Sequence, residues 1–522
     1  MQNSISIEIS NNTGIADTAL YVFITDGNNN FYKIDADNNW VATAQTTACS
    51  ILLSAIPSTN GVYTFYLNSN NSMTGGRVWF STSSTALSQG SNGIVQPSAL
   101  ADFVFDFIEI ATTPTVGTAI GNANIDTSQV DGLGIPITLY VNPVANGATF
   151  PPPSTVDTSS LNYPNVIGIK PWLSLDTIIS NFTSNLPAPS YTPFSVCGWS
   201  SGTVKRLVAP FHLIDMYSSG STPTALATFL DNAIYSFFKY YMTNTLTLQD
   251  PVSLIKYSGK VTTITEGGVK YNVLQFTSKP ATETYNVYFP YFTTNCSAFP
   301  GTLDPTVTLA APPSWWTGNL PTTMPATAMV LACAGAFSDS SYQAGITNTD
   351  LLGNLENQVV SLITRGLSPA INNLISFSTQ YSAAQIQNNQ VSITSLPANT
   401  IFSTNMEIVK QLAAQPTKVV STAIVAGNTE QIIITNPVGP LLPVPECLFI
   451  CGNFYPETDN SAGFSNIYSN YLHYGLGGSE APLLNNIGYG YAFDDQGGYS
   501  NDVTANYDSN NALTLGVFLG PL

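Results

Sequence analysis

Short stretches in which apolar and polar residues alternate fill the first 145 residues, with clusters of Asn, Gly and Ser between them. A period of two places successive side chains on opposite faces, so each stretch predicts a β-strand. Regularly spaced strands with turn residues between them are typical of a β-sandwich or barrel. The clearest predicted strands are residues 5–9, 19–24, 62–67, 76–80, 103–111 and 137–141, and residues 512–518 predict a closing strand.

The middle of the chain has a different pattern. Thr222 and Pro223 supply an N-cap and a first-turn proline, and apolar residues then follow at helical spacing as far as residue 241. This predicts an amphipathic helix of about 20 residues whose aromatic side chains pack in a core. Residues 352–363 repeat the helical spacing, and residues 248–277 predict strands with a hairpin turn.

The change of pattern divides a 522-residue chain that is too long for one ordinary core. The predicted fold is mostly β: a barrel or sandwich formed by residues 1–145 and completed by residues 485–522. Residues 146–484 carry the mixed pattern of predicted helices and strands. The proline-rich stretch at the start of this region is typical of a linker.

Composition narrows the possible partners. Only 8% of residues are charged, and 13 basic residues leave a net charge of −18. Nucleic acid is therefore an unsuitable partner, because phosphate binding needs a basic face. A neutral polysaccharide fits, since it needs hydrogen-bonding and aromatic side chains but no counter-charge. No apolar run of membrane-spanning length occurs, and the six cysteines have no metal-binding spacing, so we expect no membrane span, metal or cofactor.

Carboxylates mark the candidate chemistry. Glu109 lies near the end of the predicted strand 103–111, and Asp126 and Asp131 follow about one loop later. Two carboxylates delivered by adjacent rigid elements can form an acid/base pair. The same residues can equally be two solvated acids, one at a strand end and one in a turn.

Other motifs carry weaker signals. Residues 198–202 have the Gly-x-Ser-x-Gly spacing of a nucleophile elbow around Ser200, but the strand pattern that follows predicts an ordinary loop. His212 and His473 have no partner at a recognisable spacing, so we assign neither a catalytic role. The acidic turns at residues 26–30 and 35–39 are expected to be solvated turns rather than calcium loops.

Three motifs and the strand that bears Glu109 occur in the order found in thaumatin-like proteins. Residues 124–136 are similar to their Asp-x-Ser-x-x-Asp-Gly-x-x-x-Pro signature, residues 76–81 to their Gly-Arg-x-Trp segment, and residues 489–495 to their late Tyr-x-Tyr-x-x-Asp-Asp motif. More than 300 residues separate the motif at residues 124–136 from the one at residues 489–495. That layout resembles glycoside hydrolase family 64, whose endo-β-1,3-glucanases carry a large α/β domain inserted in a thaumatin-like barrel.

The resemblance implies that residues 146–484 form an inserted mixed α/β domain, with a groove between it and the barrel. It also implies hydrolysis of β-1,3-glucan with inversion at the anomeric carbon, without metal or cofactor. It implies Glu109 as the general acid and Asp131 as the general base. It also implies an extracellular or secreted protein, although residues 1–10 do not read as a classical signal peptide. The residues expected to surround the pair and bind sugar are Arg77, Asp126, Ser128, Gln129, Asp494 and Asp495.

One departure from the family keeps a second hypothesis open. Residues 112–124 contain no aromatic residue for stacking on a sugar. Trp172, Trp199 or the pair at 315–316 could supply a platform instead, or could simply pack. The alternative is a non-catalytic glucan-binding or defence/toxin protein that retains the acidic cleft. The sequence does not indicate the oligomeric state.

Overall fold

The structure is a computed structural model that describes only part of the chain. The described residues are 4–43, 49–68, 73–91, 93–113, 121–145, 166–186, 191–215, most of 224–288, and shorter stretches within 326–522. Asp494, Asp495 and their motif lie outside them, as do the proline-rich linker, the pair of tryptophans at 315–316 and all of the predicted helix 352–363 except residue 359.

Alternating patterns in the first 95 residues form strands, as predicted. In β1, for example, Ile5, Ile7 and Ile9 are buried, while Ser6 and Glu8 between them remain partly exposed. Two 3-10 turns, Asp17–Ala19 and Leu53–Ala55, interrupt this region. The strands among the described residues here are β1 Ser4–Asn11, β2 Tyr21–Thr25, β3 Phe31–Ile34, β4 Asn39–Thr43, β5 Ile51–Leu52, β6 Ser58–Thr59, β7 Val62–Asn68, β8 Met73–Ser81, β9 Ser88–Gly90 and β10 Gly93–Val95.

The following region starts with long strands and then adds helices. Its strands are β11 Phe105–Thr113, β12 Gly121–Thr127, β13 Gly132–Leu133, β14 Ile137–Ala145, β15 Val166–Ile169, β16 Gly198–Ser201 and β17 Val204–Val208. Its helices are α1 Leu175–Ser184, the 3-10 helix Thr192–Cys197, α2 Pro210–Asp215 and α3 Thr224–Ala227. Ser174 caps α1 by accepting a hydrogen bond from the Thr177 backbone N–H.

The rest of the described chain forms two small antiparallel sheets and three strands that return to the first region. One sheet is β18 Leu246–Gln249, β19 Lys256–Glu266, β20 Val269–Lys279 and β21 Thr284–Tyr288. The other is β22 Ile386–Gln387, β23 Gln390–Pro397, β24 Val419–Val425 and β25 Thr429–Thr435. The helices are α4 Ala326–Ala332 and α5 Ile467–Tyr474, and the last strands are β26 Leu484–Asn485, β27 Val503–Tyr507 and β28 Asn511–Leu519.

Fifteen of the described strands form one sheet, which curls into a nearly closed barrel. Its order is β26-β15-β14-β28-β1-β7-β4-β3-β2-β8-β11-β12-β27, with β5 and β6 pairing with β2 and β7. The terminal strand β27 also lies against β14 and β28, near the opposite end of that order. The mostly β class expected from the sequence is therefore confirmed; the boundaries of an inserted domain stay a prediction.

The closing strand β28 lies inside the sheet. It runs parallel to β1, with Ile5 opposite Leu513, and antiparallel to β14, with Ile137 opposite Leu519. Leu513, Leu515 and Val517 enter the main core together with the apolar residues of β1. Residues from the two ends of the chain thus share one hydrophobic core.

The aromatic strand β11 is covered on both faces. Phe105 and Phe107 join Trp79 in a second, smaller cluster, whereas Ile108 and Ile110 face the main core. Asp106 lies on the same face of the strand as Ile108 and Ile110, opposite the aromatic side chains. Glu109 shares the face of Phe107, where the strand begins to open to solvent.

In the middle region, helix α3 covers Thr224–Ala227 and residues 228–230 form a turn, so the helix of about 20 residues stays a prediction. Leu226, Leu230, Ile234 and Tyr241 recur at helical spacing and are buried, so this face packs in a core. Residues 198–208 form the hairpin β16–β17 rather than a nucleophile elbow. None of the described helices is long and apolar enough to cross a membrane.

Removing residues 511–522 tests the position of β28. The deletion leaves β1 and β14 without their shared partner, and unpaired strand edges of this length favour aggregation. We expect an insoluble protein, or one without a cooperative thermal transition by circular dichroism. A soluble shortened chain that unfolds in one sharp transition would contradict this position of β28.

Candidate active site

Strand pairing brings three predicted site residues into one row. Glu109 on β11 lies opposite Arg77 on β8 and opposite Asp126 on β12. Residues directly opposite each other in an antiparallel pair project from the same face of the sheet. Thr25 on β2 lies opposite Arg77 on its other side, so the order across the row is Thr25, Arg77, Glu109 and Asp126.

Arg77 and Glu109 form an ion pair within this row. Both Nε and NH2 of Arg77 donate to Oε1 of Glu109, at 2.8 and 2.7 Å, and each side chain is 27% exposed. The guanidinium carbon also lies 4.6 Å from the centre of the Phe107 ring, within cation–π range. Stacking and a forked hydrogen bond fix the Glu109 carboxyl in one orientation at the surface.

A groove of about 430 Å³ runs along the row and over the adjacent turns. Its lining is mixed, with apolar, amide and carboxylate side chains, and it includes Asn29, Gln96 and Asn124. Glycines form part of its wall; a Cβ at Gly76 would lie 2.5 Å from the Ile110 carbonyl oxygen. Such a groove has the size and polarity to accept an uncharged, hydroxyl-rich ligand.

Asp131 follows β12 and precedes the short strand β13. The Ala209 backbone N–H donates to its carbonyl oxygen at 3.2 Å, and Gly132 pairs with Val208. Its carboxylate meets the imidazole of His212 in α2, with 2.7 Å between Oδ1 and Nε2. The chain from β17 into α2 thus fixes both the backbone and the side chain of Asp131.

Opposing influences set the ionisation of Asp131. Desolvation, the largest one, acts to raise its pKa even though 45% of the side-chain surface is exposed. The hydrogen bond from His212 and the positive charges of His212 and Arg77 act the other way and together prevail. The pKa of Asp131 therefore lies below its ordinary value, and the group is a carboxylate at neutral pH.

Asp106 connects the strand of Glu109 to the turn that follows Asp131. Its carboxylate is buried and accepts hydrogen bonds from three backbone N–H groups, those of Phe107, Gly134 and Ile135, at 2.8, 2.8 and 3.0 Å. Burial raises its pKa to about 6, against the opposing effects of these bonds and of Arg206.

Arg206 is the buried cation beside Asp106. It donates to the carbonyl oxygens of Ala99 and Phe103 and stacks 3.7 Å from the centre of the Phe105 ring. Burial lowers its pKa to about 10, and the charge of Asp106 limits that fall.

Helix α5 supports the loop between Asp126 and Asp131 from beneath. The hydroxyl of Tyr468 donates to the carbonyl oxygen of Gln129 at 2.6 Å, and that of Tyr471 to Ile178 in α1. Ser128 is largely buried, and the Gln129 side chain is 0% exposed. In this arrangement Gln129 offers no surface to a sugar, so the sugar contacts expected of these two residues remain predictions.

His212 is the residue that sequence reasoning missed. It lies 81 positions from Asp131, and no motif spacing connects the two. The only available signal was its place just after a predicted strand, which does not indicate its partner. Trp172 is exposed and stacks with Lys170, whereas Trp199 packs against the main core.

Within the described part of the chain, no group of three or more His, Cys, Asp or Glu side chains could hold a metal ion. The site instead consists of carboxylates, a guanidinium and an imidazole beside a polar groove. Two carboxylates at such a groove are the groups that most glycoside hydrolases use. The fold and the site therefore indicate that class of enzyme.

A family model described as β-1,3-glucanase, that of glycoside hydrolase family 64, matches residues 3–288, more than half of the chain. The chain belongs to this family, whose members hydrolyse β-1,3-glucan. The resemblance stated from the motifs is thus confirmed. A search among curated proteins gave no match.

Solved structures of the same family are similar to the chain. A β-1,3-glucanase domain from Clostridium beijerinckii is 14% identical, with a TM-score of 0.47, over 99% of this chain and 98% of that one. A laminaripentaose-producing β-1,3-glucanase from Paenibacillus barengoltzii, complexed with laminarihexaose, is also 14% identical, with a TM-score of 0.26, over 40% of this chain and 49% of that one. The family assignment rests on the sequence match.

Asp106→Asn tests the buried connection. Because the folded-state pKa of Asp106, about 6, exceeds the ordinary 3.8, the folded protein binds this proton more tightly than the unfolded chain does. The stabilisation is full below about pH 4 and is lost as the pH rises through 6, by up to roughly 3 kcal/mol. The stability advantage of the wild type over the variant should therefore be larger at pH 4 than at pH 7, as measured by urea unfolding.

The matched control is Asp176→Asn, which removes a carboxylate from an exposed ion pair with Lys205. Its stability difference from the wild type should change little between the two pH values, because exposed pairs contribute only about 0–1 kcal/mol. An equal advantage over Asp106→Asn at both pH values would contradict the buried-proton argument.

Proposed function

We propose that this chain hydrolyses internal linkages of β-1,3-glucan with inversion, using Glu109 as general acid and Asp131 as general base. One observation carries the proposal: Arg77 is hydrogen-bonded to Glu109 and its charge also lowers the pKa of Asp131. Two carboxylates from separate elements are thus influenced by one cation, and Arg77 and Glu109 line the polar groove. Inversion requires a gap of roughly 6.5–9.5 Å between the carboxyls, which leaves room for a water molecule.

The ionisation of Asp131 supports the role of base. A general base must be deprotonated to accept a proton from water. The hydrogen bond from His212 and the nearby positive charges stabilise the carboxylate form. Asp131 then takes one proton from the water whose oxygen attacks the anomeric carbon, on the sugar face opposite the leaving group.

The position of Glu109 supports the role of acid. It lines the groove in the same row as Asp126, at the point where β11 opens to solvent. As the glycosidic bond breaks, the leaving oxygen takes a proton from Glu109. Arg77 orients this carboxyl, and Asp126, Ser128, Asp494 and Asp495 complete the proposed sugar-binding residues, whereas the Gln129 side chain is buried.

The proposal includes an architecture and a compartment. The barrel is thaumatin-like, residues 146–484 form the inserted α/β domain, and the glucan lies along the polar groove that Glu109 lines. The pairing of β27 and β28 with strands of the first 145 residues supports a discontinuous barrel. An extracellular location fits a polymeric glucan substrate.

Glu109→Gln tests the general acid. Glutamine keeps the shape and hydrogen-bonding capacity but cannot protonate the leaving oxygen, and general acid catalysis contributes roughly 10²–10⁴-fold. We expect release of reducing ends from linear β-1,3-glucan to fall at least about 10²-fold. Binding of laminarihexaose, measured by isothermal titration calorimetry, should persist because the ligand is neutral.

Asp176→Asn again serves as the matched control and should keep full turnover. Unchanged turnover in Glu109→Gln would assign the acid to another residue. A wild-type protein that binds laminarihexaose but releases no reducing ends would replace the hydrolase with the non-catalytic binding protein.

The anomer formed first tests the role of Asp131. If Asp131 activates water directly, cleavage of a β-linkage gives the α-anomer before mutarotation, and proton NMR detects it during the first minutes of reaction. An initial β-anomer would mean retention, which requires a closer carboxyl pair and makes Asp131 the nucleophile.

A further inference from the structure

The imidazole of His212 is held in place independently of any ligand. Its backbone N–H donates to Ala209 at 3.2 Å in the first turn of α2, directly after Pro210. The neighbouring ring of Phe211 stacks on it, with centroids 3.9 Å apart at 35°. With 25% of its side chain exposed, His212 reaches the site as a fixed hydrogen-bond donor for Asp131.

The contact between His212 and Asp131 adds little to the stability of the fold. Both side chains are partly exposed, and exposed pairs of this kind contribute about 0–1 kcal/mol. The backbone of Asp131 is fixed separately, through the Ala209 N–H and the pairing of Gly132 with Val208. What His212 determines is therefore the direction of the carboxylate rather than the path of the chain.

The hydrogen bond distinguishes the two carboxylate oxygens of Asp131. Oδ1 accepts from Nε2 of His212 at 2.7 Å, and no other described side chain is bonded to this carboxylate. Oδ2 therefore keeps its lone pairs available for a proton. A carboxylate held by one oxygen cannot rotate freely, so the direction of the second oxygen is fixed too.

We propose that His212 is the positioning residue of this active site, holding Oδ1 of Asp131 so that Oδ2 points at the attacking water. The inference rests on the proposed function of Asp131 as general base. In the reaction, the water oxygen bonds to the anomeric carbon, its proton moves to Oδ2, and the leaving oxygen takes the proton of Glu109. His212 exchanges no proton in this sequence; it only donates a hydrogen bond.

The charged and titratable groups around Asp131 determine its pKa, and hence the acidic limb of the pH profile of hydrolysis. Arg77 from β8 is the nearby cation, His212 from α2 donates a hydrogen bond, and Glu109 of β11 is paired with Arg77. Tyr468 of α5 faces the loop as a neutral phenol, because burial raises its pKa well above the ordinary value. Without His212, desolvation is opposed by Arg77 alone, and the pKa of Asp131 rises.

Three variants test the proposal in the full chain. His212→Phe keeps a ring against Phe211 but removes the donor, and His212→Gln keeps an uncharged N–H donor at similar reach. Lys205→Gln is the control, because it breaks the exposed 2.7 Å pair with Asp176 away from the site. Steady-state hydrolysis of linear β-1,3-glucan is measured from pH 3 to pH 8, with thermal unfolding of each variant.

We expect His212→Phe to lose about 10²-fold in kcat with little change in KM, the size of effect that misplacement of a reacting group by about 1 Å produces. Its acidic pH limb should move to higher pH, because a general base acts only when deprotonated and its pKa has risen. His212→Gln should recover about tenfold of the lost kcat, and Lys205→Gln should match the wild type.

Wild-type kcat and an unmoved acidic limb in His212→Phe would overturn the proposal, as would equal losses in His212→Phe and His212→Gln without a shift of the limb. If His212→Phe does not fold, the limb and kcat of His212→Gln decide in the same way. Asp131→Asn distinguishes failure of the proposed function from failure of the inference about His212. An inactive wild type, or an Asp131→Asn variant with full activity, refutes the proposed function itself. Activity that depends on Asp131 but not on His212 refutes only this inference.

Discussion

The carboxylate of Asp106 determines how the two halves of the site meet. It lies in the strand of Glu109 and accepts the backbone N–H groups of Gly134 and Ile135, in the turn just beyond Asp131. The buried carboxylate of Asp106 therefore fixes the positions of both backbone segments that carry the candidate catalytic carboxylates. Ionising this group inside the protein is costly, and Arg206 with three backbone donors offsets part of that cost. Burial of Asp106 therefore has an electrostatic cost, but its hydrogen bonds fix the turn beyond Asp131 relative to β11.

The remaining site residues extend from this anchor in two directions. On one side, strand register carries Arg77, Glu109 and Asp126 across three neighbouring strands, and aromatic rings beneath Arg77 hold its guanidinium. On the other side, α2 delivers His212 to Asp131. The first set depends on the barrel, and the second depends on the helical layer that follows it. The proposed site thus depends on both parts of the described structure.

Local patterns predicted much of this structure, but contacts between distant residues escaped them. Alternation identified β1, β7 and β11, because each strand buries one face or both against apolar neighbours. Through family resemblance, the motif around Asp131, the segment 76–81 and the strand 103–111 indicated Asp131, Arg77 and Glu109 as candidates. The hydrogen bond of His212 follows only from tertiary folding, because nothing in its neighbourhood encodes a partner 81 residues away. Burial of Gln129 was hidden for the same reason, since Tyr468 of a distant helix covers that loop.

The parallel pairing of β1 with β28 has a consequence for biosynthesis. Residues that are about 500 positions apart must meet before the sheet is continuous. At about 5–20 residues per second, the ribosome delivers the second strand roughly 25–100 s after the first. Throughout that interval, one edge of β1 is unpaired, and the apolar surface that β28 covers in the folded protein is exposed. Folding of the barrel is thus completed only late in synthesis, when β28 can pair with β1 and β14.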